Sequence, residues 1–381
     1  MQMFGSMRAW TMAATLLAAG WMAGCGSRTP LPPPPQPEAV QREGQAFVEA
    51  LRPRRPGRPV VAVLALNDGT ETTDLLLPHA VLEGSGLFDV QVVAGHPGTV
   101  QLFPALAVQA EQDLAGFDRA HPGGADYVIV PALARDDDPV LLAWLRRQAA
   151  RGAIVIGVCR GTRVVGEAGL LDGRRYTGHW YDRSRMQRRH PAGTHVPHLR
   201  YVIDRGVATT TGITASVPAM LALVEAVGGH ARARALADEL GVPAWGPAHD
   251  STPFRLTGVR AWNYLVNKAA FWRGERRAVD VRDGMDDVAL ALVADAWSRT
   301  GRMTVEAAAP TPTVRLRSGL QLVAHPAAAP WPRLPLPDGV RPLPLLGRTL
   351  CEIGARHGAM RQEWVMLEME YPALEHGCGS A

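Results

Sequence analysis

Short apolar runs alternate with helix-like segments from about residue 58 onward. The runs are rich in Val and Ile and lack polar alternation, a pattern typical of strands buried on both faces of a parallel sheet. The pattern predicts strands at 59–66, 88–94, 125–131 and 153–158, and helices at 73–83, 138–151 and 162–171. Repeated strand–helix units of this kind predict an α/β fold with a mostly parallel sheet.

The pattern changes after the middle of the chain. A hairpin is predicted at 200–211, and helices at 215–227 and 231–240 complete an α/β domain spanning 58–245. Residues 246–381 form a mixed α+β C-terminal extension. It contains an amphipathic helix at 286–299, two strands within 304–324, a proline-dense segment at 326–344 and largely helical residues at 347–370. We interpret this extension as a packing or oligomerisation element of unknown role.

The first 25 residues have the pattern of a targeting segment. Arg8 precedes an apolar run from Ala9 to Ala23, which is too short to span a bilayer, and Cys25 follows. This resembles a bacterial lipoprotein signal with Cys25 as the lipidated residue; an ordinary secretory signal is the alternative. A proline-rich tether is predicted for 26–57. We therefore expect a protein of the bacterial cell envelope, lipid-anchored to the membrane and facing the periplasm, or secreted.

Charge and cysteine content limit the partners. The chain has 381 residues and a formal net charge of only +4, without a basic block that would indicate a nucleic-acid partner. Its four cysteines include Cys351 and Cys378, which are close in sequence and would be exported to an oxidising compartment. The sequence gives no distance between them, so their pairing stays open.

The strand at 153–158 ends in the sequence Gly157-Val-Cys159-Arg-Gly161 and leads directly into a helix. This is the layout of a nucleophile elbow, a tight strand–helix turn that carries the reactive side chain, with Cys in place of Ser. Glycines on both sides leave room for the turn. The alternative is a cysteine buried in the core, a common role for this residue.

Several motifs together resemble the ThiJ/PfpI superfamily, nearest the branch of isonitrile hydratase and the amidotransferase-like domains of AraC-type regulators. The resemblance covers roughly residues 58–245. It implies the class I glutamine amidotransferase-like fold, a flavodoxin-like three-layer sandwich, a small-molecule substrate and pairing as a homodimer. The motifs are Asp74-Leu-Leu-Leu-Pro78, Gly157-Val-Cys-Arg-Gly161, Ala168-Gly-Leu-Leu-Asp-Gly-Arg174, Thr177-Gly-His-Trp180 and Thr211-Gly-Ile-Thr-Ala215.

The resemblance assigns roles to individual residues. Cys159 matches the elbow nucleophile, Asp74 the acidic residue that contacts it, and His179 the histidine of the family's T-x-H motif. His179 could act as a general base, orient substrate, or line the pocket while bonded to backbone. Further pocket and oxyanion positions are Gly157, Arg160, Gly161, Thr162, Ala132 and Trp180.

The chain departs from the family at two of these positions. Pro131 and Ala132 replace a Gly-Gly pair whose amides help to bind an oxyanion, although the amides of Ala132 and Leu133 remain available. Arg160 replaces a small residue beside the thiol. We expect the elbow helix and Arg160 to lower the pKa of the thiol, and an ionised Asp74 to raise it. The backbone N–H of Arg160 is the predicted oxyanion donor.

The sequence indicates no cofactor and no metal site. His190, His195 and His198 invite a metal interpretation, but two prolines interrupt the segment and no acidic partner matches it, so a solvated loop is predicted. The site residues favour a Cys-dependent hydratase or hydrolase of a small electrophile, an isonitrile-like compound or an aldehyde, with Asp74 as proton shuttle. The alternative is a non-catalytic ligand-sensing, redox-sensing or protein-interaction module. A PfpI-like peptidase ranks third.

Overall fold

A seven-stranded sheet forms the centre of the protein in a computed structural model that describes residues 31–110, 112–261, 274–372, 374 and 378. Its strand order is β11-β12-β8-β7-β1-β3-β6, and every pair is parallel except β11 with β12. In chain order the strands are β1 (Val60–Leu64), β2 (Thr70–Glu71), β3 (Asp89–Ala94), β4 (Gly98–Phe103), β5 (Ala107–Ala110), β6 (Gln112–Asp113), β7 (Tyr127–Val130), β8 (Ile154–Gly157), β9 (Arg175–Tyr176), β10 (Thr194–His195), β11 (Tyr201–Asp204), β12 (Val207–Thr210), β13 (Glu275–Asp280), β14 (Met303–Ala309), β15 (Thr313–Arg315), β16 (Gln321–Val323) and β17 (His325–Pro326).

Helices cover both faces of this sheet. In β1, Val61 and Val63 point to one core while Ala62 and Leu64 point to the other, as period-two alternation requires. The predicted three-layer α/β sandwich is therefore confirmed. The helices are α1 (Pro37–Ala50), α2 (Thr72–Ser85), α3 (Leu114–Ala120), α4 (Pro139–Ala150), α5 (Gly161–Glu167), α6 (Arg183–Arg189), α7 (Ser216–Gly228), α8 (His230–Leu240), α9 (Asp287–Arg299), α10 (Pro342–His357) and α11 (Ala359–Met369).

The segment before the sheet differs from the predicted tether. Helix α1 occupies 37–50, where an extended spacer was predicted, and its Phe47 is buried with its ring 4.1 Å from that of Tyr201. The Tyr127 hydroxyl donates to the carbonyl oxygen of Leu51 (2.6 Å). The prolines misled the prediction, because Pro37 lies at the first turn of the helix, where proline is tolerated. Residues 1–25, with Cys25, lie outside the described residues.

The C-terminal region does not form a separate domain but shares a hydrophobic core with the α/β domain. Residues 35–381 form one compact unit, and side chains of α2, α7, α9 and α10 share a single hydrophobic core. Strand β16 pairs with β5, which extends a second sheet from the N-terminal half into the C-terminal half. Three strands, β14 to β16, replace the two predicted within 304–324, and β13 was not predicted.

Helix α9 is the centre of this region. Residues 287–298 are all buried, so the amphipathic pattern predicted for this helix is wrong. The helix packs between α2, α10, α11 and β14, and this leaves it without a solvent-facing side. Cys351 of α10 forms a disulfide with Cys378 (Cα–Cα 5.4 Å), which settles the pairing that the sequence left open. Among the described residues, none of the helices is long and apolar enough to cross a bilayer.

Candidate functional site

Cys159 lies at the carboxyl end of the central sheet, on the turn between β8 and α5. Its φ of 54° is a left-handed conformation that costs a non-glycine residue free energy. The backbone N–H donates to Oγ1 of Thr210 (3.1 Å), at the end of the neighbouring strand β12. The residue is only 4% exposed. The thiol therefore lies on a strained turn and is almost completely buried.

The glycines of this turn are required by close backbone approach. A Cβ on Gly161 would lie 1.9 Å from the carbonyl oxygen of Val130, and one on Gly157 would lie 2.9 Å from Val165. The next residue, Thr162, is buried and its hydroxyl donates to the carbonyl oxygen of Thr177 (3.4 Å). These contacts fix the turn against β7 and against the loop that leads to His179.

Asp74, in the first turn of α2, is buried beside the elbow. Its Oδ2 accepts the N–H of Ala132 (3.0 Å), while Oδ1 is buried without a hydrogen-bond partner among the described residues. Burial and the charge of Glu71 raise the pKa of Asp74 well above its usual range. The amide of Ala132 is thus committed to Asp74, which corrects the expectation that it remains available for an oxyanion.

Sequence reasoning missed a buried ionic cluster next to Asp74. Arg299, the last residue of α9, contacts Glu71, Asp295 (2.6 Å) and Glu368 (3.3 Å). Glu71 in turn caps α2, because its carboxylate accepts the N–H of Asp74 (2.6 Å). A helix cap of this kind can be inferred from a sequence, because the residues that form it are close together in the chain. The partnership with Arg299, 228 residues away, has no signal in a single sequence.

The environment of the thiol is the opposite of what the sequence suggested. Burial raises the pKa of Cys159 well above its usual range, and the charges of Asp74, Glu71 and Glu370 raise it further. The guanidinium of Arg160 does not compensate, because it turns to Asp182 (Nε to Oδ2, 3.3 Å) and lines a surface depression of about 430 Å³ whose lining does not include Cys159. The expected lowering of the thiol pKa by Arg160 and the elbow helix is therefore wrong.

His179 is bonded to backbone through both ring nitrogens. Nε2 lies 2.9 Å from the carbonyl oxygen of Glu368 and must donate to it, while Nδ1 accepts the N–H of Tyr181 (3.4 Å). Of the three roles considered for His179, this arrangement corresponds to a pocket-wall imidazole and leaves no ring nitrogen for Cys159. Trp180 packs beside it, and its indole donates to the carbonyl oxygen of Leu367 (2.8 Å).

Glu370, immediately after α11, is buried beside Trp180. It has a φ of 52° and is 1% exposed. Its Oε1 accepts the N–H of Trp180 (2.6 Å), and its Oε2 lies 3.4 Å from Nε2 of His249. Its backbone oxygen accepts from Thr214 (2.7 Å). Neither Glu370 nor His249 was a sequence candidate, since both follow the motifs that define the site.

The three histidines considered as metal ligands have separate partners. His190 lies 3.8 Å from Glu167, and His198 accepts the N–H of Ser251 at its Nδ1 (3.2 Å). Both are buried, so the predicted solvated loop is wrong for them, whereas His195 is partly exposed. Within the described residues, no three His, Cys, Asp or Glu side chains are grouped to hold a metal ion.

Comparison with known proteins identifies the family of the region that contains this sheet. The model of the DJ-1/PfpI family matches residues 60–226. An uncharacterised protein in the cpoL 5′ region of Streptomyces lividans is 33% identical over 144 residues, which are 36% of this chain and 97% of that protein. The chain belongs to the DJ-1/PfpI family. The family domain ends before α8, so His249, Arg299 and Glu370 lie outside it.

Two further relatives show how far the likeness to DJ-1/PfpI proteins extends. The isonitrile hydratase of Pseudomonas putida is 36% identical over 105 residues, 27% of this chain and 42% of the enzyme. The crystal structure of a ThiJ/PfpI family protein from Pseudomonas syringae is 21% identical, with a TM-score of 0.46, and covers 64% of this chain and 95% of that chain. The chain spans between a quarter and about half of the length of the characterised relatives that it matches.

Proposed function

We propose that this protein is a Cys-dependent hydratase or hydrolase of a small electrophilic molecule, isonitrile-like or an aldehyde. The observation that carries the proposal is the strained elbow of Cys159 next to the unpartnered Oδ1 of Asp74. Both features cost free energy of folding, of the order of 1–3 kcal/mol each. Such costs concentrate at functional sites, where they serve the reaction.

Asp74 supplies the proton chemistry in this proposal. As the sulfur of Cys159 attacks the terminal carbon of an isonitrile, the carboxylate takes the thiol proton and passes it to that carbon, giving a thioimidate. Water then adds to the thioimidate carbon, the carbon–sulfur bond breaks, and an N-substituted formamide leaves while the thiol regains its proton. The backbone N–H of Arg160 is the proposed donor to the oxygen that develops charge. A carboxyl group whose pKa is raised by burial suits this shuttle, because it holds a transferred proton more readily than an ordinary carboxyl group does.

The pH dependence of Cys159 alkylation tests the assembly of this pair. At neutral pH the thiol is protonated because its pKa is raised, so iodoacetamide should label it slowly. The rate should increase about tenfold per pH unit up to an inflection above about 8.5, the usual thiol value. Asp74→Asn removes one charge that raises the pKa of the thiol, and should move the inflection to lower pH. The measurement is the rate of modification of the Cys159 peptide by mass spectrometry, with Cys159→Ser as the unlabelled control. An inflection below 8.5 in the wild-type chain would contradict the described site.

Turnover is tested with a panel of isonitriles, nitriles and 2-oxoaldehydes. We expect product formation in the wild-type chain and a loss of about 100-fold or more in both Cys159→Ser and Asp74→Asn, because one removes the nucleophile and the other the proton shuttle. Equal turnover rates in Asp74→Asn and the wild type would rule out Asp74 as the proton shuttle.

A non-catalytic ligand-binding or interaction module is the second candidate. The observations in its favour are that the thiol is buried and that the charge of Glu370, from the C-terminal segment, raises its pKa further. A wild-type chain that labels at Cys159 as described but turns over nothing in the panel would favour this second function.

A further inference from the structure

The pocket around Glu370 is built to hold an anion. The side chain is buried. Its Oε1 accepts the backbone N–H of Trp180 (2.6 Å), while its Oε2 has no hydrogen-bond partner among the described residues and lies 3.4 Å from Nε2 of His249. Burial alone would raise the pKa of Glu370, but the contact with His249, the imidazole of His179 and the N–H of Trp180 hold it below its usual range. A carboxylate therefore stays ionised in this pocket.

The pocket lies on the same side of the fold as the nucleophile, close to the strand end that holds Cys159. Glu370 packs against Gly212, where a Cβ would lie 2.8 Å from the side chain of Glu370. Gly212 follows Thr210 by two residues, and Thr210 accepts the backbone N–H of Cys159. The charge of Glu370 is also among those that act on the thiol. A group bound in place of this carboxylate would thus lie near the elbow, where its charge acts on the thiol.

The backbone conformation of Glu370 is not one that glutamate favours. It adopts left-handed backbone at the end of α11, a position where helices favour glycine or asparagine. A glutamate at such a position carries a conformational cost. The carboxylate contacts offset that cost.

We propose that the pocket formed by Trp180, His249 and Gly212 is the binding site for the carboxylate of the substrate, and that Glu370 occupies it as an internal substitute. This deepens the proposed function, on which it rests, by assigning the substrate to small electrophiles that carry a carboxylate group. Such a ligand must displace Glu370 to reach Cys159. When it does, it replaces one negative charge by another at the same donors.

The test uses propionate, which has the atoms of the glutamate side chain beyond its Cα. Glu370→Gly removes these atoms and suits the left-handed backbone, so the pocket is emptied without new strain. We expect calorimetric titration at constant ionic strength to show saturable, one-to-one binding of propionate to this full-length variant. Binding to the wild type and to Glu370→Gln should be at least about tenfold weaker, because the side chain of residue 370 still fills the pocket and competes for the same donors.

Two controls identify the contacts. Propionamide, which has the same shape without the charge, should bind Glu370→Gly at least about tenfold more weakly than propionate. Adding His249→Ala to Glu370→Gly should weaken propionate binding by about tenfold. Equal binding of propionate by Glu370→Gly and the wild type, or equal binding of propionate and propionamide, would overturn the proposal. If Glu370→Gly fails to fold, Glu370→Asn, which also accepts this backbone, carries the same expectations.

A second measurement tests whether the pocket lies close to the thiol of Cys159. Iodoacetate and iodoacetamide alkylate thiols by the same reaction and differ in carrying a carboxylate or an amide. In Glu370→Gly, the ratio of the iodoacetate rate to the iodoacetamide rate at Cys159 should be at least about tenfold the wild-type ratio, and 100 mM propionate should abolish the gain. An unchanged ratio would contradict the placement of the pocket beside Cys159. Propionate binding without turnover would reject the proposed enzyme activity but support the carboxylate site. Turnover without propionate binding would support the enzyme activity but reject the carboxylate site.

Discussion

Arg299→Met is expected to lower the free energy of unfolding by about 3–5 kcal/mol, the usual cost of removing one partner from a buried ionic cluster. The guanidinium of Arg299 contacts Glu71, Asp295 and Glu368, and the first two are buried. Methionine keeps the unbranched apolar part of the side chain but leaves these carboxylates without a cation in a poorly hydrated region. Urea unfolding under non-reducing conditions, which keep the disulfide intact, measures the loss.

A surface arginine provides the matched control. Arg282 pairs with Asp338 at 2.7 Å, but both side chains are mostly exposed. Arg282→Met should therefore change the free energy of unfolding by less than about 1 kcal/mol. Similar losses in the two variants would show that the cluster around Arg299 does not depend on its buried charge.

Gly161→Ala is expected to lower the free energy of unfolding by about 3 kcal/mol or more, because the added Cβ would lie 1.9 Å from the carbonyl oxygen of Val130. The obstacle is backbone of the central sheet and cannot rotate away as a side chain would. The elbow must therefore move away from β7, which also displaces Cys159. Thermal and urea unfolding measure the first effect, and the alkylation rate of Cys159 reports the second.

Gly246→Ala is the control for the loss of a glycine. No atom lies within 4 Å of a Cβ placed there, and its backbone is not in the left-handed region. We expect a change within about 0.5 kcal/mol. If Gly161→Ala were as mild as Gly246→Ala, the close approach of the elbow to β7 would be refuted.

The sequence was most informative where the signal is local. Continuous apolar runs predicted the strands around β1, β7 and β8, since strands buried on both faces need no polar alternation. The spacing of Gly157, Cys159 and Gly161 predicted the turn, because its steric demands involve adjacent residues. Helix α1 was missed because the prolines before and within its first turn are typical of an extended spacer as well.

The electrostatics of the site could not be predicted from the same residues. Arg160 follows Cys159 in the chain, but its side chain pairs with Asp182, 22 residues away. The charges that act on the thiol come instead from Glu71, Asp74 and Glu370, and the last is 211 residues from Cys159. The sign of the pKa shift depends first on how deeply the fold buries the thiol and then on which of these groups it brings close, and a single sequence gives no information about either.

The packing of the C-terminal segment against Trp180 and Gly212 has a consequence for how this chain and its relatives can exchange parts. A family domain taken from another protein would bring its own surface to the place where Glu370 contacts Trp180 and Gly212. In a chimera joined near residue 245, the two halves would meet with mismatched charge around Arg299, whose partners Glu71 and Glu368 come from opposite sides of that junction. Substitutions at these positions in one half therefore constrain those in the other, and the two halves are expected to be inherited together.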